Sequence, residues 1–158
     1  MAEKHPMAGA GQFQWNTGGW FGALVGGTSW LLVGAIFMAP RAPWLAAWWA
    51  ACFLAANAVG FGMWRRRDRT RPYPAIQALM ATCGVAGLLA VVALHAFGPD
   101  AVKAGLTGRG GMPARAGFLG GPLSSLYGVF LIGIPAMMGW FAVMERVGRR
   151  DGESRSRA

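Results

Sequence analysis

The residues of this chain best suited to chemistry are His95, Cys52, Cys83 and the adjacent pair Ser124 and Ser125. A serine nucleophile needs a base and an orienting third group in one pocket. His95, Ser124 and Ser125 could share one end of the protein, but no third group accompanies them. No catalytic residue is therefore assigned, and an enzyme is the third choice of function. Cys52 and Cys83 lack the close Cys/His spacing of a zinc site. They read as small apolar residues in packed surroundings, and no metal site is expected. His5 and His95 fall on opposite sides of the topology derived below, so they cannot jointly hold a haem iron. No cofactor is expected. His95 is read as an interfacial histidine satisfied by water or Asp100, with a single-ligand or proton-sensing role as the alternative.

The elements that must position these residues follow from where the charge lies. Four blocks, at 5–40, 42–64, 72–99 and 116–144, contain no Asp, Glu, Lys or Arg. The 21 charged residues are confined to the 42 positions between and beyond them. A soluble domain interleaves charge along every helix. A chain that crosses a bilayer segregates it, because a span needs about 20 mainly apolar residues to cover ~30 Å of hydrocarbon. The pattern predicts an all-α membrane protein, a bundle of four transmembrane helices over 17–38, 44–64, 73–97 and 122–144. Pro40 and Pro43 end the first span, and Gly98-Pro99-Asp100 ends the third. Short connections make the first three spans antiparallel neighbours. The apolar stretch of the first span is longer than the ~7–15 residues of a signal-peptide core, and Pro40-Arg41 is a poor cleavage flank. It is read as a retained helix.

Orientation follows from Lys and Arg. The N-tail (1–16), the second connection and the basic C-tail (145–158) share one side and carry eleven of the fifteen basic residues. Arg41, Lys103, Arg109 and Arg115 are on the other side. Cytoplasmic segments carry the excess, so both termini are expected in the cytoplasm. Trp20, Trp44, Trp64 and Tyr73 fall near the predicted interfaces, where amphipathic rings settle. The connection 98–121 lies outside in this scheme. Eight of its residues are Gly, and a short helical turn could form from Asp100.

The strongest local pattern is Gly18, Gly22 and Gly26, flanked by Gly19, Ala23 and Gly27. Residues four apart share a helix face, so this glycine zipper is a groove that another helix can approach closely. The partner helix could belong to this chain, to a second copy or to another subunit. Asn57 and Gln77 are the amides within the second and third spans. A buried amide in hydrocarbon needs a partner worth about 1 kcal/mol, and the two are expected within reach of a bridging water. A polar lining for a conduction path, with Thr28, Ser29 and Thr82, is the alternative. Pro135 should kink the fourth span, since it cannot donate to the Leu131 carbonyl. Glu145 and Arg149 read as a solvated i,i+4 pair. Arg65, Arg66, Arg67, Arg69 and Arg71 set orientation and suit anionic lipid headgroups. Topology accounts for the basic charge, so no nucleic-acid partner is invoked.

The run Asn16-Thr-Gly-Gly-Trp-Phe-Gly before a glycine-rich span, then Trp64-Arg-Arg-Arg-Asp-Arg and Tyr73-Pro-Ala-Ile-Gln, resembles a set of small bacterial polytopic membrane proteins without an assigned function. The similar stretch covers about the first half of the chain. It implies a multi-pass protein of the bacterial inner membrane and no particular chemistry. Together these readings favour a structural or accessory membrane protein that associates through small-residue helix faces, with itself or a larger complex. A small oligomeric channel or carrier ranks second. A lipid-handling protein, recognisable by a side opening beside 65–71, shares third place with a membrane enzyme.

Overall fold

The computed structural model describes residues 13–107 and 123–156. Every regular element among them is helical: α1 (Thr17–Met38), α2 (Pro43–Arg65), a 3-10 turn (Arg67–Arg69), α3 (Pro72–Phe97), α4 (Asp100–Thr107), α5 (Leu123–Gly128), a π-helical turn (Val129–Gly133) and α6 (Ile134–Ser156). α1, α2 and α3 are each long and apolar enough to cross a membrane, as is the combined helix over Leu126–Arg150. At 1.5 Å per residue, the 22 residues of α1 reach about 33 Å, a little more than the hydrocarbon core.

The ends of these helices are set locally. The Asn16 side chain accepts from the Gly19 N–H at 2.8 Å and starts α1. Proline opens both α2 and α3, where a missing N–H costs nothing. α2 then closes against the 3-10 turn through the Thr70 hydroxyl, which donates to the Arg66 carbonyl at 3.1 Å.

α1, α2 and α3 pack against one another, and the α5–π–α6 helix lies against α3. The inward face of α1 is Trp20, Leu24, Thr28, Leu31, Ala35 and Met38, all buried at helical spacing. Trp49 of α2 is fully buried at the centre of the larger core cluster, with Leu31, Met38, Leu45, Ala90 and Leu94. Its ring lies where a side chain at residue 34 would be, so Gly34 is required for the close α1–α2 approach. Gly60 of α2 plays the same part for Leu24 and Gly87 of α3 for Phe130. Val102 of α4 closes the end of this core.

Before Pro135, where a kink is expected, the helix changes its winding. The helix widens into a π turn immediately before it, and the Ile134 N–H donates to the Val129 carbonyl. The wider turn makes room for the pyrrolidine ring, which would otherwise collide with the carbonyl of residue 131. On this helix Phe130 stacks on Trp30 at 5.6 Å, and Ile134 sits over Gly84.

Two readings change with the structure. α6 continues to Ser156, well past the expected end of the fourth span at 144. Asp100 begins an eight-residue helix rather than a single turn. His5, Arg109, Arg115 and most of the expected outer connection lie outside the described residues.

Candidate functional site

The small residues of α1 form an open face. Gly18, Gly19, Gly22, Ala23, Gly26 and Gly27 are all exposed. A side chain added at Gly22 or Gly26 would meet nothing within 4 Å. Of the glycines on this face, Gly27 lies against another helix among the described residues, at Cys83. Among the described residues the tight helix contacts are therefore made by Gly34, Gly60, Gly84 and Gly87, and packing among those residues does not account for Gly22 and Gly26. Those four glycines were not singled out from sequence. No glycine lies four residues from any of them, so a search for glycines at that spacing passes over them, although Ala56 precedes Gly60 by four.

The intramembrane amides are satisfied separately. Asn57 donates through Nδ2 to Thr28 Oγ1 at 3.0 Å and to the Phe53 carbonyl at 2.8 Å. Thr28 in turn donates to the Leu24 carbonyl at 2.7 Å. Gln77 donates to the Met138 carbonyl at 2.9 Å and to the Tyr73 hydroxyl at 3.1 Å. Asn57 thus fastens α2 to α1, and Gln77 fastens α3 to α6. Each amide therefore donates directly to a helix other than the one that carries its counterpart. Among the described residues no buried side-chain nitrogen or oxygen is left without a partner, as hydrocarbon requires.

Indole N–H groups supply further cross-links. Trp49 donates to the Ala90 carbonyl at 2.9 Å and Trp20 to the Gly60 carbonyl at 3.1 Å. Trp20 is buried within the bundle. Sequence alone carried one usable signal for Trp49. An indole about two turns inside a span must find an acceptor on another helix or at its own backbone.

One end of the bundle gathers the N-terminal segment, the α2–α3 connection and α6. The Trp15 indole donates to the Thr70 carbonyl at 3.2 Å. Phe13 lies between Tyr73 and Phe141, at 5.9 and 5.1 Å between ring centroids. Trp15, Trp20 and Trp64 form a second aromatic group, with centroids 5.0 to 6.2 Å apart. Glu145 is only 5% exposed. It accepts from Arg149 Nε at 3.1 Å and from the Phe13 N–H at 3.3 Å. The expected i,i+4 pair exists, but its carboxylate is a buried anchor for the N-terminal segment and not part of a solvated face.

The arginines of this end divide into two kinds. Arg67 is turned back on the protein. Its guanidinium lies 4.9 Å from the Trp64 ring centroid, donates to the Trp64 carbonyl at 3.2 Å and approaches Asp68 at 4.0 Å. Arg65, Arg66, Arg69 and Arg71 are exposed. At the opposite end His95 Nδ1 lies 3.3 Å from the Tyr127 hydroxyl, and Tyr127 takes the place expected of Asp100. Asp100 is 3.8 Å from Lys103 instead. Cys52 is buried and Cys83 half-buried, both as free thiols. Among the described residues no group of His, Cys, Asp and Glu could hold a metal. No family model, curated protein or solved structure matches this chain.

Proposed function

We propose that this chain is a structural or accessory protein of the bacterial inner membrane, built to associate with another transmembrane helix through the glycine face of α1. The observation that carries this reading is the contrast between two sets of glycines. Gly34, Gly60, Gly84 and Gly87 are filled by neighbouring side chains, whereas Gly22 and Gly26 meet none among the described residues. Association in lipid is driven by close packing, and an unfilled glycine face on a helix whose inward face is already packed is a contact surface for a helix from outside. The fourth span adds area for such assembly, since no residue of 126–144 is buried. The second reading, a conduction path, draws less support. Thr28 and Asn57 lie between α1 and α2, Gln77 bonds to α6, and Thr82 bonds only its own helix at Ala78. These polar groups are spread over separate seams of the chain.

The experiment is purification of the full chain in mild detergent followed by native mass spectrometry. The expected result is a complex with a second copy or another membrane subunit. Gly22→Ile with Gly26→Ile should release that partner while the released chain keeps its helical content. Recovery of the wild-type chain as a monomer, or a complex indifferent to both substitutions, would overturn the reading.

A further inference from the structure

A continuous groove runs down the outside of the α2–α3 seam. Its deep part, about 520 Å³, is walled by Ala51, Ala55 and Val59 of α2 and by Ala81, Thr82 and Val85 of α3. Val59 is shared with a second hollow, which continues past Gly62, Pro74 and Ala78 to Arg66. Gly62 and Arg66 are shared in turn with a third, bordered by Arg65, Asp68 and Arg69. Small residues at helical spacing on both helices keep the channel open: Ala51, Ala55, Val59 and Gly62 on one wall, Pro74, Ala78 and Thr82 on the other. The deep walls make no polar demand. The Thr82 hydroxyl is turned back to the Ala78 carbonyl at 2.8 Å, and the Trp48 indole at the far end reaches the Leu89 carbonyl at 3.4 Å.

We infer that this seam is a binding site for an anionic phospholipid, with one acyl chain in the groove and the phosphate at Arg65, Arg66 and Arg69. Three observations select that occupant. The volume of the deep part falls in the ~300–1,000 Å³ range of small-molecule sites. From Arg66 back to Trp48, where the groove ends, α2 rises about 27 Å, so the ~15 Å of hydrocarbon in one leaflet fits within it and an acyl chain anchored at the arginines reaches about as far as Ala55. The rim is basic. Its carboxylate, Asp68, already approaches Arg67, whereas Arg65, Arg66 and Arg69 are exposed. An apolar partner helix would fill the groove and leave that charge unanswered. A headgroup phosphate accepts bidentate guanidinium bonds, and each arginine near an anionic surface contributes roughly fivefold in affinity. The site is separate from the α1 face, so it stands or falls independently of the assembly reading.

The test uses the purified full chain in mild detergent with equimolar palmitoyl-oleoyl phosphatidylglycerol and palmitoyl-oleoyl phosphatidylcholine, read by native mass spectrometry. Phosphatidylglycerol should be retained roughly tenfold or more over phosphatidylcholine. Arg65→Gln with Arg66→Gln and Arg69→Gln should bring that ratio near one. Arg146→Gln with Arg150→Gln should leave it unchanged. Ala55→Trp should reduce both adducts by filling the groove. Ala55→Leu with Ala81→Leu repeats that arm with smaller side chains, and circular dichroism verifies the helical content of each variant. Millimolar inorganic phosphate should not displace the lipid, because the acyl chain holds it. Equal retention of the two lipids would overturn the proposal, as would a preference that survives the triple substitution. Displacement by phosphate alone, or loss of a bound second copy in place of lipid on Ala55→Trp, would overturn it equally.

Discussion

The Phe13 backbone N–H donates to the buried Glu145 carboxylate at 3.3 Å, joining residues 132 positions apart. That bond ties the chain's N-terminal segment to the start of its C-terminal extension. It also places a carboxylate among aromatic rings, where Arg149 balances its charge. Arg149 is exposed and can turn to water, so the loss on removing Glu145 falls mainly on the Phe13 N–H, and hydrogen bonds to charged groups are worth about 1.5–3 kcal/mol. Glu145→Ala should therefore lower stability in detergent by about that amount and speed hydrogen exchange at residues 13–16. Glu145→Gln keeps an acceptor and should fall between. Unchanged exchange at Phe13 in Glu145→Ala would show that the aromatic contacts alone hold the segment.

Glycines of two kinds predict opposite outcomes for one substitution. A methyl at residue 34 would overlap the Trp49 ring, which is fully buried and bonded to Ala90. Overpacking of this sort costs about 1–3 kcal/mol. A methyl at residue 22 or 26 meets nothing, and replacing a helical Gly by Ala removes about 0.5–1 kcal/mol of conformational penalty. Gly34→Ala should lower the melting temperature of the chain, whereas Gly22→Ala and Gly26→Ala should leave it level or raise it. Thermal scanning in one detergent compares all three directly.

These glycines also show what a sequence can and cannot convey about this fold. Segregated charge and uninterrupted apolar length are one-dimensional properties, and they are enough to expose four spanning helices. The four-residue glycine spacing marks a smooth face but carries no information about what meets it. Trp49 over Gly34 joins two helices across a turn, and the contact depends on their rotation about their own axes. The amides show the same limit. The need of Asn57 and Gln77 for a partner follows from composition and depth, but the choice of Thr28 and the Met138 carbonyl is made by helix rotation. Glu145 was the least accessible to such reading. Its i,i+4 spacing to Arg149 is typical of a wet helix, and only the return of Phe13 buries it.

Separate partners for the two amides make a quantitative expectation. Interhelical hydrogen bonds in membranes average about 0.6 kcal/mol, with a maximum near 1.7. Asn57→Leu and Gln77→Leu should each cost an amount in that range. Residues without shared partners add within about 0.3–0.5 kcal/mol. The double variant should equal the sum of the singles to that tolerance in a denaturant titration. A coupling beyond it would mean that the two amides communicate through a bridging group.

The last expectation concerns which way the bundle faces. The bonds from Phe13 to Glu145 and from Trp15 to Thr70 bring the N-terminal segment, the α2–α3 connection and α6 to a single end. Eleven of the fifteen Lys and Arg residues belong to those segments, and basic residues are retained in the cytoplasm during insertion. Fusions at either terminus should therefore be fluorescent with green fluorescent protein and inactive with alkaline phosphatase, which needs the oxidising side. Changing Arg65, Arg66, Arg67, Arg69 and Arg71 to Gln leaves six basic residues against four. That weak bias should yield a mixed population, with phosphatase activity appearing at both termini together. Activity at one terminus alone in the wild-type chain would require an odd number of crossings and would contradict the four-span arrangement.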